Sequence, residues 1–560
     1  MKKYFNRKII LIFFFVINCG VLFSQRVYTL VPGITVDSIL STRPNASKIS
    51  FDGISGKLFY ATVGGDIYQV YIPTVGAATD TLRFTSADHG ITFLQGLFFR
   101  DSVMYLCGNI WSSTTSLGKI VKATLQSNGT RLFVDVVTTV PYPSASSSGD
   151  HGFAGVNLDP AGDYIYLSSG ARTHIGEIRS NNNAWPNYRE VPISTRIFKF
   201  PVNTVGLILQ NDSAILDNSG YVFAYGTRNA WDMAWDGNDT LFAIDNSGER
   251  DDPEELNWLR EGKNYGFPWR MGSNYNPLMN SPYNVNLDPL VNHLCGGYLN
   301  GWFADDPTFP TIPPGTTFTD PVRNYGVDAD FFRDSITGQV KNASDEGTYI
   351  TSFTAHRSPL GLVFDKDSML ATPFRGDAFV LSFMPGGDSL GYTPISPWGT
   401  PCPFVDPSRE LTQMKLTYNA SIDNYTMITS NIVTGFYLPV DAELTNNVLY
   451  VIETGGDLWR ITFPPYLNVP ELPSNPSISV HPNPTQHSVQ FDFYCTASGI
   501  VKISLTDVQG KLVNVVFEKD LAVGNQNIKI DLSKFSAGIY IYTILIDGVS
   551  SIGKISKIAE

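Results

Sequence analysis

One pattern recurs six times along this chain: an apolar strand, an Asp/Gly turn, a second apolar strand, then a Gly turn into a third. It runs from Ile49 to Ile72 (ISFDGISGKLFYATVGGDIYQVYI), then from Leu94 (LQGLFFRDSVMYLCGN, continuing to GKIVKATL) and from Gly155 (GVNLDPAGDYIYLSSG, resuming at RIFKF). It returns from Met233 (MAWDGNDTLFAIDN), from Leu360 (LGLVFDKDSMLATPFRGDAFVLSF) and from Pro439 to Phe463 (PVDAELTNNVLYVIETGGDLWRITF). Few long runs carry helical apolar spacing, so the chain reads as all-β. Each repeat has apolar faces that only neighbouring repeats can cover, and such a row is satisfied by closing on itself. The pattern predicts a six-bladed β-propeller over residues 26–463. Residues 271–346, rich in Pro, Asn and Gly, are too long for an ordinary connection and read as an insertion over one face.

The flanks differ in composition. Lys2, Lys3, Arg7 and Lys8 precede an apolar run from Ile9 to about Leu22, with Phe23-Ser24-Gln25 as a cleavage region. Residues 1–25 therefore read as a signal peptide, the apolar run being short for a membrane span. No later stretch reads as transmembrane. Residues 464–477, which open with PPYLNVPELPSNP, form a Pro-rich linker. Residues 478–560 hold about six short alternating strands with Gly/Asp turns, the pattern of a small β-sandwich. The net charge of -13 argues against nucleic acid as a partner. Cys107, Cys295, Cys402 and Cys495 show no metal-site spacing. Cys295 and Cys402 lie in loop-like sequence, where a disulfide and buried thiols are equally open readings. G-x-S-x-G, P-loop and H-E-x-x-H motifs are absent.

Chemistry concentrates between Gly226 and Trp269: GTRNAWDMAWDGNDTLFAIDNSGERDDPEELNWLREGKNYGFPW. A cation, Arg228, stands beside Asn229. A short strand follows, then an oxygen-rich acidic loop from Asp245 to Glu255. Such a loop suits a hard cation, which takes six to eight oxygen ligands.

This order of motifs resembles the soluble glucose/sorbosone dehydrogenases, six-bladed propellers that use pyrroloquinoline quinone (PQQ) and calcium. Further stretches agree: Asp150-His151-Gly152 followed by Asp159-Pro160-Ala161-Gly162, AHRSPLGLVF from Ala355 followed by PFRGDAFV from Pro373, and the final repeat. The resemblance implies that His151 is the general base, taking a hydroxyl proton while hydride passes to the quinone. It implies that Arg228 stabilises the developing charge, and that Arg228 and Asn229 contact PQQ. His356 and Arg375 are further expected cofactor contacts. Gly248, Glu249, Asp251 and Asp252 are the expected calcium-holding positions. The family pattern has two glycines shortly after the histidine, where this chain has Phe153 and Ala154, and a Gly-Pro pair where it has Gly248-Glu249. His89 is a weaker site candidate. His174, His293, His481 and His487 have no supporting context.

HPNPTQHSVQFDF from His481, LTDVQGKLV from Leu505, SAGIYIYTI from Ser536 and GKISK from Gly553 resemble the C-terminal sorting domain of type IX secretion substrates. The expectation is a secreted or cell-surface, PQQ-dependent sugar or polyol dehydrogenase. Its partners would be the substrate, an electron acceptor and the type IX secretion machinery. The alternative is a non-catalytic propeller binding carbohydrate or protein at the cell surface.

Overall fold

The computed structural model describes residues 26–145, 149–293, 295–384, 409–464, 478–495, 498–546 and 549–559. The expected signal peptide and nearly all of the expected linker fall outside these residues, as does Cys402 and with it the Cys295–Cys402 pairing. The chain divides into two compact units, residues 1–466 and 467–560. Strands dominate both. The α-helices among the described residues are single turns or little more: Ser86–His89, Ser213–Asn218 and Gly296–Leu299. Among the described residues no helix is long and apolar enough to cross a membrane.

The repeats fold as antiparallel sheets. The first is Ala46–Asp52, Lys57–Thr62, Ile67–Tyr71 and Thr79–Phe84, each strand paired to the next. Sheets of the same plan begin at strands Phe93–Arg100, Phe153–Leu158, Ala230–Trp235, Pro359–Phe364 and Pro439–Thr445. The last takes its outer strand, Thr35–Ser41, from the N-terminal end of the chain. That pairing ties residues 35–41 to residues 457–462. The first strands of successive sheets lie against one another in chain order, and strand Pro439–Thr445 lies against Ala46–Asp52.

The first three of these strands are largely buried because each is covered from both sides, and the polar Lys48, Asp52 and Gln95 are buried with the apolar residues. Close approach needs small side chains. A Cβ on Gly96 would stand 2.4 Å from Cys107 Sγ and 2.9 Å from the Ala154 carbonyl. Every first strand also carries a register shift near its start: Ala46/Lys48, Leu94/Gly96, Phe153/Val156, Ala230/Asp232, Leu360/Val363 and Pro439/Asp441. Bulges re-aim side chains at a rim, so all six first strands are re-aimed at the same end. Loops after each second strand return to that end, because strands one and two are antiparallel.

The insertion is only partly irregular. It holds the hairpin Phe331–Arg333/Val340–Asn342, and its strand Arg323–Val327 joins the outer edge of the fifth sheet by parallel pairing to Asn424–Thr434. The polar composition of this stretch hid Arg323–Val327, an edge strand of the fifth sheet.

The C-terminal unit has one sheet of strands Ser479–His481, Ser488–Cys495 and Gly524–Asp531. A second has four antiparallel strands, beginning at Gly499–Thr506. Val489, Phe491, Ile503, Leu505 and Ile544 share one buried cluster, so alternate residues of both sheets face inward.

Candidate active site

His151 immediately precedes strand Phe153–Leu158, and Arg228 precedes Ala230–Trp235. Both therefore stand at the bulged end. The segment after strand Tyr164–Ser169 stitches them together: His151 N donates to the Ala171 carbonyl (3.0 Å), and Ala171 N donates to the Arg228 carbonyl (2.6 Å). Gly170 makes room, since a Cβ there would stand 2.5 Å from His151 Cβ. Burial, and then the nearby Arg228 charge, hold the His151 pKa well below its usual value of 6.5. The imidazole is neutral and able to accept a proton.

Arg228 is 3% exposed, and its guanidinium is bound by carbonyls rather than by carboxylates. Nε donates to His174 O (2.8 Å), and Nη1 donates to Asn246 O (2.9 Å) and Ser247 O (2.7 Å). Nη2 has no hydrogen-bond partner among the described residues. The carboxylate of Asp245, at the end of strand Leu241–Asp245, accepts from the backbone N–H of Arg228 (2.9 Å) and Asn229 (2.5 Å). Burial raises the Asp245 pKa against these hydrogen bonds and the Arg228 charge.

Several buried polar atoms around Arg228 lack a hydrogen-bond partner: His151 Nε2, both ring nitrogens of His174, Thr227 Oγ1, Asn229 Oδ1 and Glu254 Oε2. Native interiors leave few such atoms unpaired. His151, His174 and Glu254 all lie close enough to Arg228 for its charge to act on their titration. Burial pushes the Glu254 carboxyl up to about 8, against the charges of His356, Arg228 and Arg357. The cluster is unsatisfied by the polypeptide and chemically suited to an oxygen-bearing polar ligand.

The acidic loop is organised differently from the expectation. Glu249 accepts from Gly297 N at the start of the short insertion helix. Asp251 accepts from Arg333 Nε (2.5 Å) and bonds His356 Nε2 (2.7 Å). Asp252 Oδ1 accepts from Arg250 Nη1 and from Asn274 Nδ2 (2.9 Å). Arg250 Nε reaches Asp288 at 2.9 Å. Gly248 is packed under the His174 carbonyl, where a Cβ would stand 2.8 Å from the oxygen. Among the described residues no group of three or more His, Cys, Asp and Glu is placed to hold a metal ion. Of the expected calcium-holding positions, Glu249 thus accepts from a backbone N–H, and Asp251 and Asp252 are paired with protein cations. Two of the Ser247–Gly248 neighbourhood carbonyls, those of Asn246 and Ser247, are taken by Arg228.

His356 is half-buried beside this loop with a left-handed backbone (φ 65°). Burial opposes its charge, but the Asp251 hydrogen bond and carboxylate outweigh burial and raise its pKa. Arg375 does not join the cluster. It is exposed in the turn that closes the far end of hairpin Pro359–Phe364/Ala378–Ser382, where Phe364 pairs with Ala378. His89 is a structural residue. Its Nε2 bonds Gly65 O (2.8 Å) and its Nδ1 accepts from Ile91 N (3.2 Å).

The insertion covers this end. Trp302 stacks on His174, with ring centroids 4.0 Å apart. The Arg179 guanidinium carbon lies 3.9 Å from the same indole centroid. His174, Glu254 and Trp302 were not singled out in the sequence. The usable signal is topological: in an antiparallel sheet the loop after strand two returns to the end where strand one begins. That rule brings residues 170–195 and 246–254 beside His151 and Arg228.

Residues 92–286 match the family model described as Glucose / Sorbosone dehydrogenase, and residues 479–557 match that of the Secretion system C-terminal sorting domain. The first span contains His151, His174, Arg228, Asn229 and Glu254. A comparison with curated proteins returned no match. Among solved structures, the PQQ domain of pyranose dehydrogenase from Coprinopsis cinerea is 13% identical, with a TM-score of 0.47, covering 78% of this chain and 97% of that one. The soluble aldose sugar dehydrogenase from Escherichia coli is 13% identical, with a TM-score of 0.45, covering 77% and 99%. Residues 92–286 are thus similar to the glucose/sorbosone dehydrogenases, and residues 479–557 to the secretion-system C-terminal sorting domain.

Proposed function

We propose that residues 26–463 form a six-bladed propeller whose bulged end oxidises a sugar or polyol hydroxyl, with PQQ as the hydride acceptor. The ring is supported by the contacts that return from strand Pro439–Thr445 to Ala46–Asp52, and by Thr35–Ser41 completing the last sheet. The chemistry rests chiefly on one observation: the unpaired polar atoms of His151, His174, Asn229 and Glu254 are grouped around Arg228. The family match over residues 92–286 supports the same reading. These residues fit an anionic, oxygen-rich planar group, because they offer one fixed cation and several unengaged hydrogen-bonding atoms. Gly248, Glu249, Asp251 and Asp252 remain the proposed calcium-holding positions, and no step is routed through the metal.

When bound, PQQ supplies the hydride acceptor. His151 Nε2 takes the hydroxyl proton as the C–H bond gives up its hydride, so alcohol becomes carbonyl and the proton ends on imidazole. Arg228, with Nη2 uncommitted, stabilises negative charge developing on the acceptor side. Asn229 Oδ1 and Arg228 orient the ligand. His356 holds Asp251 and hence the acidic loop. The C-terminal sheets read as a β-sandwich that directs type IX export to the medium or cell surface, after a signal peptide at residues 1–25.

The test is dye reduction by the full chain with added PQQ across a panel of sugars and polyols. Turnover with at least one supports the reading. PQQ or sugar binding without turnover supports instead the non-catalytic propeller, which the committed carboxylates of the acidic loop favour.

A further inference from the structure

His174 is 6% exposed, yet neither ring nitrogen has a hydrogen-bond partner among the described residues. The chain contains its own control. His89, 3% exposed, uses both ring nitrogens on backbone groups, as a buried structural histidine ordinarily does.

His174 is nonetheless firmly held. Its backbone carbonyl accepts from Arg228 Nε (2.8 Å), and its backbone N–H donates to Glu177 Oε1 (3.2 Å). One face lies on Trp302, 22° from parallel. The Arg179 guanidinium, itself bonded to Glu177 at 2.8 Å, also lies against that indole. The ring edge meets Gly149, where a Cβ would stand 2.5 Å from Cδ2 and 2.7 Å from Nε2. A side chain held this firmly, with its polar atoms unused and Arg228 beside it, is preorganised for a group the chain does not itself supply.

We infer that His174 is a ligand-contacting residue of the Arg228 site, donating a ring N–H to an oxygen of the bound cofactor, and that Trp302 sets its orientation. The inference rests on the cofactor reading above. It makes the insertion part of the active site, since Trp302 comes from it.

The competing explanation is that His174 serves only as a flat surface for Trp302. His174→Phe separates the two, because it keeps an aromatic surface and removes both nitrogens. Calorimetric titration of the full chain with PQQ is the readout, alongside the thermal midpoint. The expected result for His174→Phe is a wild-type midpoint with Kd raised about tenfold, the loss of one hydrogen bond to a charged ligand. Equal affinity in wild type and His174→Phe overturns this inference alone. Absence of PQQ binding to the wild type overturns the cofactor reading, and this inference with it. Should the phenylalanine variant not fold, His174→Leu carries the same test: weakened binding supports the inference and unchanged binding overturns it.

Discussion

Asp251 and His356 are joined by a 2.7 Å hydrogen bond across 105 residues of sequence. The other oxygen of Asp251 accepts from Arg333, and the carboxylate itself is fully shielded from solvent. One buried anion thus holds the acidic loop to the insertion and to the loop before the fifth sheet. Asp251→Asn leaves two cationic groups without their counter-charge. The expected loss is about 3 kcal/mol in urea unfolding, with earlier proteolytic cleavage within residues 271–346. Unchanged stability would show that the three segments are held by other contacts.

The acidic limb of the pH–rate profile reports the base. Burial and Arg228 both depress the His151 pKa, so the limb of kcat/KM belongs below pH 6.5 and activity stays level through neutrality. Arg228→Gln removes the repelling charge and is expected to move the limb towards higher pH while lowering kcat. A limb unmoved by that change would detach the base from Arg228.

Asp150 carries a separate pH signature. Its pKa is pushed from 3.8 up to about 7, chiefly by burial. A carboxyl raised in the fold contributes stability that is fully present below pH about 4 and is lost as pH rises through about 7. Asp150→Asn keeps an acceptor for Ala145 N (2.6 Å) and abolishes the titration. The variant is expected to be more stable than wild type by about 1–3 kcal/mol at pH 8, with the difference vanishing near pH 4. Urea titrations at the two pH values measure it.

The strand-turn pattern made the sheets legible because apolar residues recur along the strands of each repeat and each turn carries Asp or Gly. His151 and Arg228 were picked out by the motif order that resembles the glucose/sorbosone dehydrogenases, and each stands two residues before a first strand. The partners of Glu249, Asp251 and Asp252 are something the sequence cannot display. Two of these carboxylates are satisfied by Gly297 and Arg333, from a distant insertion, and Asp252 by Arg250 and Asn274. Arg375 stands in the turn between antiparallel strands one and two, at the end away from His356. His174 was invisible because its neighbours Arg228, Gly149 and Trp302 converge only in three dimensions.

The central claim is that the atoms left unpaired around Arg228 form a quinone-dependent oxidation site with His151 as base. The most direct measurement is single-turnover oxidation of a sugar or polyol by the PQQ-loaded full chain, wild type against His151→Ala, with PQQ affinity measured for both. The account predicts equal PQQ affinity and a rate about 100-fold or more lower in the variant. Equal rates would contradict it.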